Sequence, residues 1–334
     1  MTGDSPADDA VLALLLEVAG TPKPGNVDRR RDLADLRFES FLGGAVSARE
    51  GLERGARGAA VGHAFERAVA GMADRAGTNT QFGCLLLLVP LLRATRHGDL
   101  SPGGLDRVTR ETTVDDAVAF YRAFEHVDVA VEDPPEDATD LDVRRGGDAE
   151  PVLRERGLTL RDVMATSANA GDDGSDDRIP DRNAQEWVEG FPRTFRAAEW
   201  VLSDEGPLAD RAARAFLGLL ATEPDTLVAT AHGPAVAREA SAEARAIVSS
   251  ADPTTETDPT DVLSTEPHGT PPDADAVHAI DLEAAESLAA SFLERGINPG
   301  TTADLTCAAL YVALRRGADA NGSGEARDDH GVKP

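Results

Sequence analysis

The stretch Ser5-Pro6-Ala7-Asp8-Asp9-Ala10-Val11-Leu12-Ala13-Leu14-Leu15-Leu16-Glu17-Val18-Ala19-Gly20 decides the fold class. Ser5 reads as an N-cap, Pro6 suits the first helical position, and Asp8 and Asp9 complement the helix dipole, so a helix is predicted over 8–19. Val11, Leu12, Leu14, Leu15, Leu16 and Val18 leave almost no polar face, which places this helix at the centre of the molecule. Gly20 ends it, and Thr21-Pro22-Lys23-Pro24-Gly25 follows as a stiff, non-helical turn.

Working outward, helical spacing recurs over 32–49, 58–76, 79–96 (with a kink expected at Pro90), 115–126, 159–170, 183–202, 208–222, 234–249, 282–293 and 301–316. Alternating strands and internal repeats are absent from this reading. The expectation is an all-α fold: one large helical domain over 1–316, closed by its N- and C-terminal helices. Acidic insertions fall near 127–150, 171–182 and 250–275, and 317–334 reads as a flexible acidic tail.

Of 334 residues, 60 are acidic and 33 basic, giving a net charge of −27. That excludes a nucleic-acid binder, which needs a basic face for phosphates, and disfavours an anionic membrane surface. Only Lys23 and Lys333 among the basic residues are lysines. An acid coat over apolar helical stripes suits a protein adapted to high salt, where self-repulsion is screened. The N-terminus lacks a basic leader region, and the longest apolar run, 83–92, is too short to span a bilayer, so a soluble, cytoplasmic protein is expected. Cys84 and Cys307 each sit in an apolar run and read as small buried hydrophobes.

Four segments can carry chemistry. Lys23 sits on a proline-stiffened turn with Gly25 and Asn26, where a compact ammonium suits a phosphate oxygen; the plain alternative is an exposed lysine on a Pro-Gly turn. Asp35 and Glu39 are spaced to share a helix face and hold a cation, with Asp28 just upstream, although a solvated acidic face is the commoner use of such a pair. Thr78, Asn79 and Thr80 open an apolar helix and offer free N–H groups, hydroxyls and an amide to an anion; the alternative is N-capping. Gly300, Thr301, Thr302 and Asp304 repeat that logic at the last helix. His232-Gly233 is a further candidate loop. Sequence patterns for a P-loop, a Rossmann site or a serine hydrolase are missing.

Taken together, these segments resemble the triphosphoribosyl-dephospho-CoA synthase family, in a divergent, archaeal-like branch. The residues that carry the resemblance are Glu17 with Pro22-Lys23-Pro24-Gly25-Asn26-Val27-Asp28, Phe38-Glu39-Ser40-Phe41, Gly77-Thr78-Asn79-Thr80, Asp181 with Asn183-Ala184-Gln185-Glu186-Trp187, Pro224-Asp225-Thr226-Leu227 and Asn298-Pro299-Gly300-Thr301-Thr302-Ala303-Asp304-Leu305. They occur in the family's order over roughly residues 10 to 315. The resemblance implies an all-helical transferase that joins C1′ of the ATP ribose to the 2′-hydroxyl of 3′-dephospho-CoA and releases adenine. The product is the precursor of the prosthetic group of citrate lyase or malonate decarboxylase carrier proteins.

Breaking the C1′–N9 bond builds positive ribose character, so the site needs carboxylates, a base for the acceptor hydroxyl and a cradle for the triphosphate. Asp28, Glu39, Asp181 and Asp304 are the candidate catalytic acids, with Asp28, Glu39 and Asp304 as candidate Mg²⁺ ligands. Lys23, Gly25, Asn26, Thr78, Asn79, Thr80, Gly300, Thr301 and Thr302 are the candidate ATP-binding residues. The chain departs from the family pattern at Gln81-Phe82-Gly83, where a His-Lys-Gly is usual, in the stretch Leu33 to Arg37, where a His-Asp element is usual, and at Thr230-Ala231, where a basic pair is usual. The alternatives are a related ATP-dependent transferase with another cofactor-like acceptor, such as a phosphotransferase, or a non-catalytic nucleotide-binding protein. The partners expected are small molecules; the sequence leaves the oligomeric state open.

Overall fold

A computed structural model describes residues 5–132, 134, 136–168, 178–251 and 271–319. The described residues form α-helices and short 3₁₀ segments, with no strand among them; one isolated bridge pairs Asp28 with Arg31. The all-α expectation is met.

Three helices with little polar surface form the middle. The first, α1 (Pro6–Ala19), is capped by Ser5, whose side chain accepts from the Asp8 N–H. It packs on α17 (Gly300–Arg315) and α5 (Phe82–Arg96). Cys84 to Leu92 of α5 are all buried, and the helix runs on through Pro90. Each buried Leu there contributes about 1.5–3 kcal/mol by leaving water. Asp9 of α1 is buried and accepts from Arg315 at 2.5 Å, tying the N-terminal helix to the C-terminal one.

Around this centre lie α2 (Phe38–Ser47), α3 (Arg49–Ala56), α4 (Val61–Ala76), α6 (Pro102–Arg110) and α7 (Val114–Ala123). Next come α8 (Glu150–Arg156), α9 (Leu160–Ala168), α10 (Arg182–Glu189), α11 (Pro192–Ser203) and α12 (Leu208–Thr222). The series ends with α13 (Thr226–His232), α14 (Pro234–Ala251), α15 (Ala274–His278) and α16 (Ala285–Arg295) before α17. Most buried apolar residues belong to one cluster; a small second one joins Val18, Val27 and Phe41 beneath the Pro22–Asp28 turn.

Several sequence expectations change. The helix expected over 32–49 starts only at Phe38, because Asp32 accepts the Phe38 N–H at 2.8 Å while Leu33 and Leu36 close a turn. Asp35 therefore lies outside the helix and shares no face with Glu39. The helix expected over 183–202 is broken at Gly190 (φ 82°) and Phe191 (φ 64°) into α10 and α11. The segment 127–150 is not a loop throughout: the 3₁₀ segment Val143–Ala149 packs on α7, Glu136–Leu141 packs on that segment and on α8, and the Tyr121 hydroxyl donates to the Leu141 carbonyl at 2.6 Å. Most of the acidic stretches at 171–182 and 250–275, and of the tail at 317–334, lies outside the described residues. Among the described residues no helix is long and apolar enough to cross a membrane.

Candidate active site

A cavity of about 500 Å³ opens where α1, α5, α7, α9, α13 and α17 meet the 128–143 segment. Part of its lining is polar: Glu17, Asn26, Asn79, Thr80, Asp181, Asn183, Asn298 and Asp304. Another part is apolar: Phe82, Phe120, Phe124, Val129, Leu141, Val143 and Met164. Phe82 packs edge-on to Phe124 at a centroid distance of 4.9 Å. Among the described lining residues Arg178 is the one basic side chain, and it is engaged by Glu132.

The proline turn is built inward. Lys23 is fully buried and its ammonium is paired with Glu17 of α1, with Asn26 Oδ1 at 3.5 Å. It is thus neither an exposed lysine nor a free arm in the cavity. Burial pushes the Glu17 carboxyl up, and the Lys23 charge opposes this. Gly25 has φ 73°, and a Cβ there would sit 1.8 Å from the Ile297 carbonyl oxygen. The close approach that glycine permits is therefore to the chain before α17. Asn26 extends the same junction by donating from Nδ2 to Asn298 Oδ1 at 3.0 Å.

Asp28 is buried and fully engaged. It accepts from the backbone N–H of Lys23 at 3.3 Å and of Arg30 at 2.7 Å, and from the Arg31 guanidinium at 2.8 Å. It fixes the turn and does not line the cavity. Glu39 is exposed in the first turn of α2, also away from the cavity. Asp28, Glu39 and Asp304 are therefore not brought together as metal ligands. Among the described residues no three His, Cys, Asp or Glu side chains form a metal-binding group.

At the start of α5, Asn79 Oδ1 accepts the Phe82 N–H at 3.1 Å, so it caps the helix while lining the cavity. Thr80 lines the cavity as well, and its hydroxyl has no partner; Thr78 lies outside. At the start of α17, Gly300 and Thr301 face the cavity, but the N–H groups of Gly300 and Thr302, expected to be free, are used. The Thr302 N–H and hydroxyl donate to Asp225 at 2.7 and 2.8 Å, and the Gly300 N–H donates to the Asn298 carbonyl. Asp225 also caps α13 through Val228 N–H, and burial pushes its carboxyl up. Asp181 lines the cavity, caps α10 and accepts from the Ser167 hydroxyl at 2.9 Å. His232 is exposed at the end of α13 and bonds the Gly296 carbonyl, outside the cavity.

Asp304 is the chemically distinctive group. One turn into α17, its Oδ2 accepts from Asn183 Nδ2 at 2.9 Å and its Oδ1 from the Cys84 thiol at 3.2 Å. Burial lifts its pKa to about 7; these hydrogen bonds pull the other way, and the Glu17 and Asp225 charges add to the rise. Cys84 stays protonated because burial, with Cys307 beside it, pushes its thiol well up. Gly83 makes the contact possible, since a Cβ there would meet Asp304 Oδ2 at 1.9 Å. Cys84 is thus a cavity-lining hydrogen-bond donor and more than a small hydrophobe. Gly83, Cys84, Glu17 and Asn183 are site residues that the sequence reading did not select; the one signal was the placing of Glu17 and Asn183 inside the matching segments.

The chain is 23% identical to a proposed triphosphoribosyl-dephospho-CoA synthase from Archaeoglobus fulgidus, whose crystal structure superposes with a TM-score of 0.59 over 84% of this chain and 99% of that one. At that identity the likeness shows the fold. No match is found among curated protein sequences. The family model for ATP:dephospho-CoA triphosphoribosyl transferase matches residues 3–323. With nearly the whole length matched, the chain belongs to the ATP:dephospho-CoA triphosphoribosyl transferase family.

Proposed function

We propose that this protein transfers the triphosphoribosyl group of ATP to the 2′-hydroxyl of 3′-dephospho-CoA and releases adenine, with Asp304 as the base. The observation that carries this reading is Asp304: a cavity-lining carboxyl with neutral partners and a pKa of about 7. A base poised near the working pH takes a hydroxyl proton most effectively. In the reaction the C1′–N9 bond breaks, the C1′–O2′ bond forms, the hydroxyl proton passes to Asp304 and from there to solvent, and adenine leaves as the neutral base after taking up one proton from solvent, so one proton moves overall from the hydroxyl to adenine. Glu17 and Asp181 place further carboxyl groups on the cavity wall, where negative charge favours the developing positive ribose. The apolar lining suits the adenine ring and the apolar stretches of the acceptor's arm.

The polyphosphate is the demanding part, because Arg178 is the one basic residue among the described lining residues. No group of three His, Cys, Asp or Glu side chains that could cage a metal is found among the described residues, and in this reading Mg²⁺ enters as part of the substrate, MgATP, carried mainly by the phosphate oxygens. Asn26, Asn79, Thr80, Gly300 and Thr301 supply the neutral polar wall beside it. Lys23, Gly25 and Thr302 act from behind as positioning residues, and Asp28 holds the turn. The acid-rich surface fits work in a salt-rich cytoplasm, where phosphate charge is screened as well.

The test is free adenine release from ATP with Mg²⁺ in high-salt buffer, with and without 3′-dephospho-CoA. Adenine that depends on the acceptor is expected. ADP or AMP as the nucleotide product, or bound ATP with no turnover, overturns the reading.

A further inference from the structure

Behind the start of α17, three arginines close on a second, much smaller pocket. Arg182, Arg193 and Arg196 line it with Glu223, Asp225, Thr301 and Thr302, and its volume is about 10 Å³. That is room for one water-sized body. Arg193 is fully employed: Nε donates to Glu223 at 2.9 Å, Nη1 to Glu189 at 2.8 Å and Nη2 to Gln185 at 3.0 Å. Arg182 and Arg196 are not. Arg182 Nη1 donates to Gln185 at 2.8 Å, but its Nη2 has no partner. Arg182 Nε lies 3.1 Å from Glu223 without hydrogen-bond alignment. Arg196 Nε and Nη2 are buried and equally without an acceptor, while its guanidinium sits 5.7 Å from the Trp200 ring. The Asp225 carboxylate is spent on Thr302 and Val228.

We propose that this pocket is a halide site, holding a chloride ion between Arg182 and Arg196. Among the described residues, four buried guanidinium nitrogens have no hydrogen-bond acceptor, Arg182 Nε meeting Glu223 only as an ion pair, and buried donors left unpaired are costly. A water molecule accepts two hydrogen bonds and must place two protons of its own. A halide accepts from all sides and donates nothing, so it suits the unpaired donors of Arg182 and Arg196 better than water does, while the Glu223 and Asp225 carboxylates on the same wall are engaged by Arg193 and by Thr302 and Val228. The size excludes phosphate and other polyatomic anions. Burial pushes the Arg182 and Arg196 guanidiniums down, an unfavourable state for their charges that an adjacent anion relieves. Thr301 lines both this pocket and the large cavity, so the bound ion braces the wall of the active site from behind.

Crystals of the full chain grown in potassium acetate and soaked in potassium bromide test the site directly. An anomalous peak between Arg182 and Arg196 is the expected result. Density without an anomalous signal there, or bromide only at the surface, overturns the proposal. In solution, replacing acetate by chloride at constant ionic strength raises Tm by about 2 °C or more, as binding to the folded state alone requires. Arg196→Met, which keeps an apolar stem against Trp200, removes that rise. Equal Tm of the wild-type protein in both salts contradicts the proposal, and the bromide peak decides the matter if the variant does not fold.

Discussion

The Pro22–Asp28 turn and the start of α17 touch through Gly25 and Asn26, and each holds a carboxylate singled out by sequence, yet the two carboxylates live differently. Asp28 is surrounded by backbone N–H groups and the Arg31 guanidinium. Asp304 has only a side-chain amide and a thiol for company. In a chain with 60 acids, Asp304 stands out as a buried carboxyl that lines the cavity and is held by neutral side chains. A carboxylate spent on a guanidinium and backbone N–H groups builds structure; a buried acid with neutral partners can exchange a proton near neutral pH.

The strongest way to break this contrast is to neutralise each carboxylate. Asp304→Asn lowers adenine release by about 10²–10⁴-fold, the usual worth of a general base, with the fold kept by circular dichroism. It also changes the pH dependence of stability. The folded pKa of Asp304, about 7, lies above the ordinary 3.8. Its contribution is therefore fully present below about pH 3.8 and is lost as pH rises through 7. That difference is worth up to about 4 kcal/mol, so Asp304→Asn is more stable than wild type at pH 8 in urea unfolding. Unchanged turnover would remove Asp304 from the chemistry. Asp28→Asn, by contrast, reduces stability more than it reduces the rate per folded molecule.

Lys23 tests the other side. The sequence alone suggests that Lys23→Ala weakens triphosphate binding more than stability. Its burial against Glu17 reverses that order. Removing one partner of a buried pair costs about 3–5 kcal/mol, so a lower urea midpoint is the main effect. A stable variant with weakened ATP binding would restore the phosphate role. Gly83→Ala sharpens the packing argument: a Cβ 1.9 Å from Asp304 Oδ2 forces a shift, costing about 1–3 kcal/mol of stability and at least tenfold in turnover. The smallest effect is a shift of the pH–rate curve. Cys84→Ala removes a donor to Asp304 and moves the apparent pKa up, whereas Cys84→Ser moves it down, each by up to about one pH unit.

The sequence shows the long helices well, because α1, α12 and α17 carry long apolar faces and α1 has its Ser5 cap. It hides the short ones: α13 has seven residues, too few for two periods of an apolar stripe. The break at Gly190-Phe191 was signalled by Gly190 and Pro192, but the apolar pattern ran across it. At the site, Asn26, Asn79, Thr80, Asp181, Gly300, Thr301 and Asp304 line one cavity, as their grouping into motifs suggests. Glu39 does not, because the register of α2 turns on the Asp32 cap and not on charge spacing. The role of Cys84 was illegible, since a thiol in an apolar run looks like packing until α17 brings Asp304 against it.

The pH–rate profile of adenine release, for the wild-type protein and for Asp304→Asn with dephospho-CoA present, is the decisive measurement. A wild-type rate that rises with an apparent pKa near 7, and a variant whose low residual rate has lost that rise, is the expected pair of curves. A variant that keeps the same inflection near 7 would contradict Asp304 as the base.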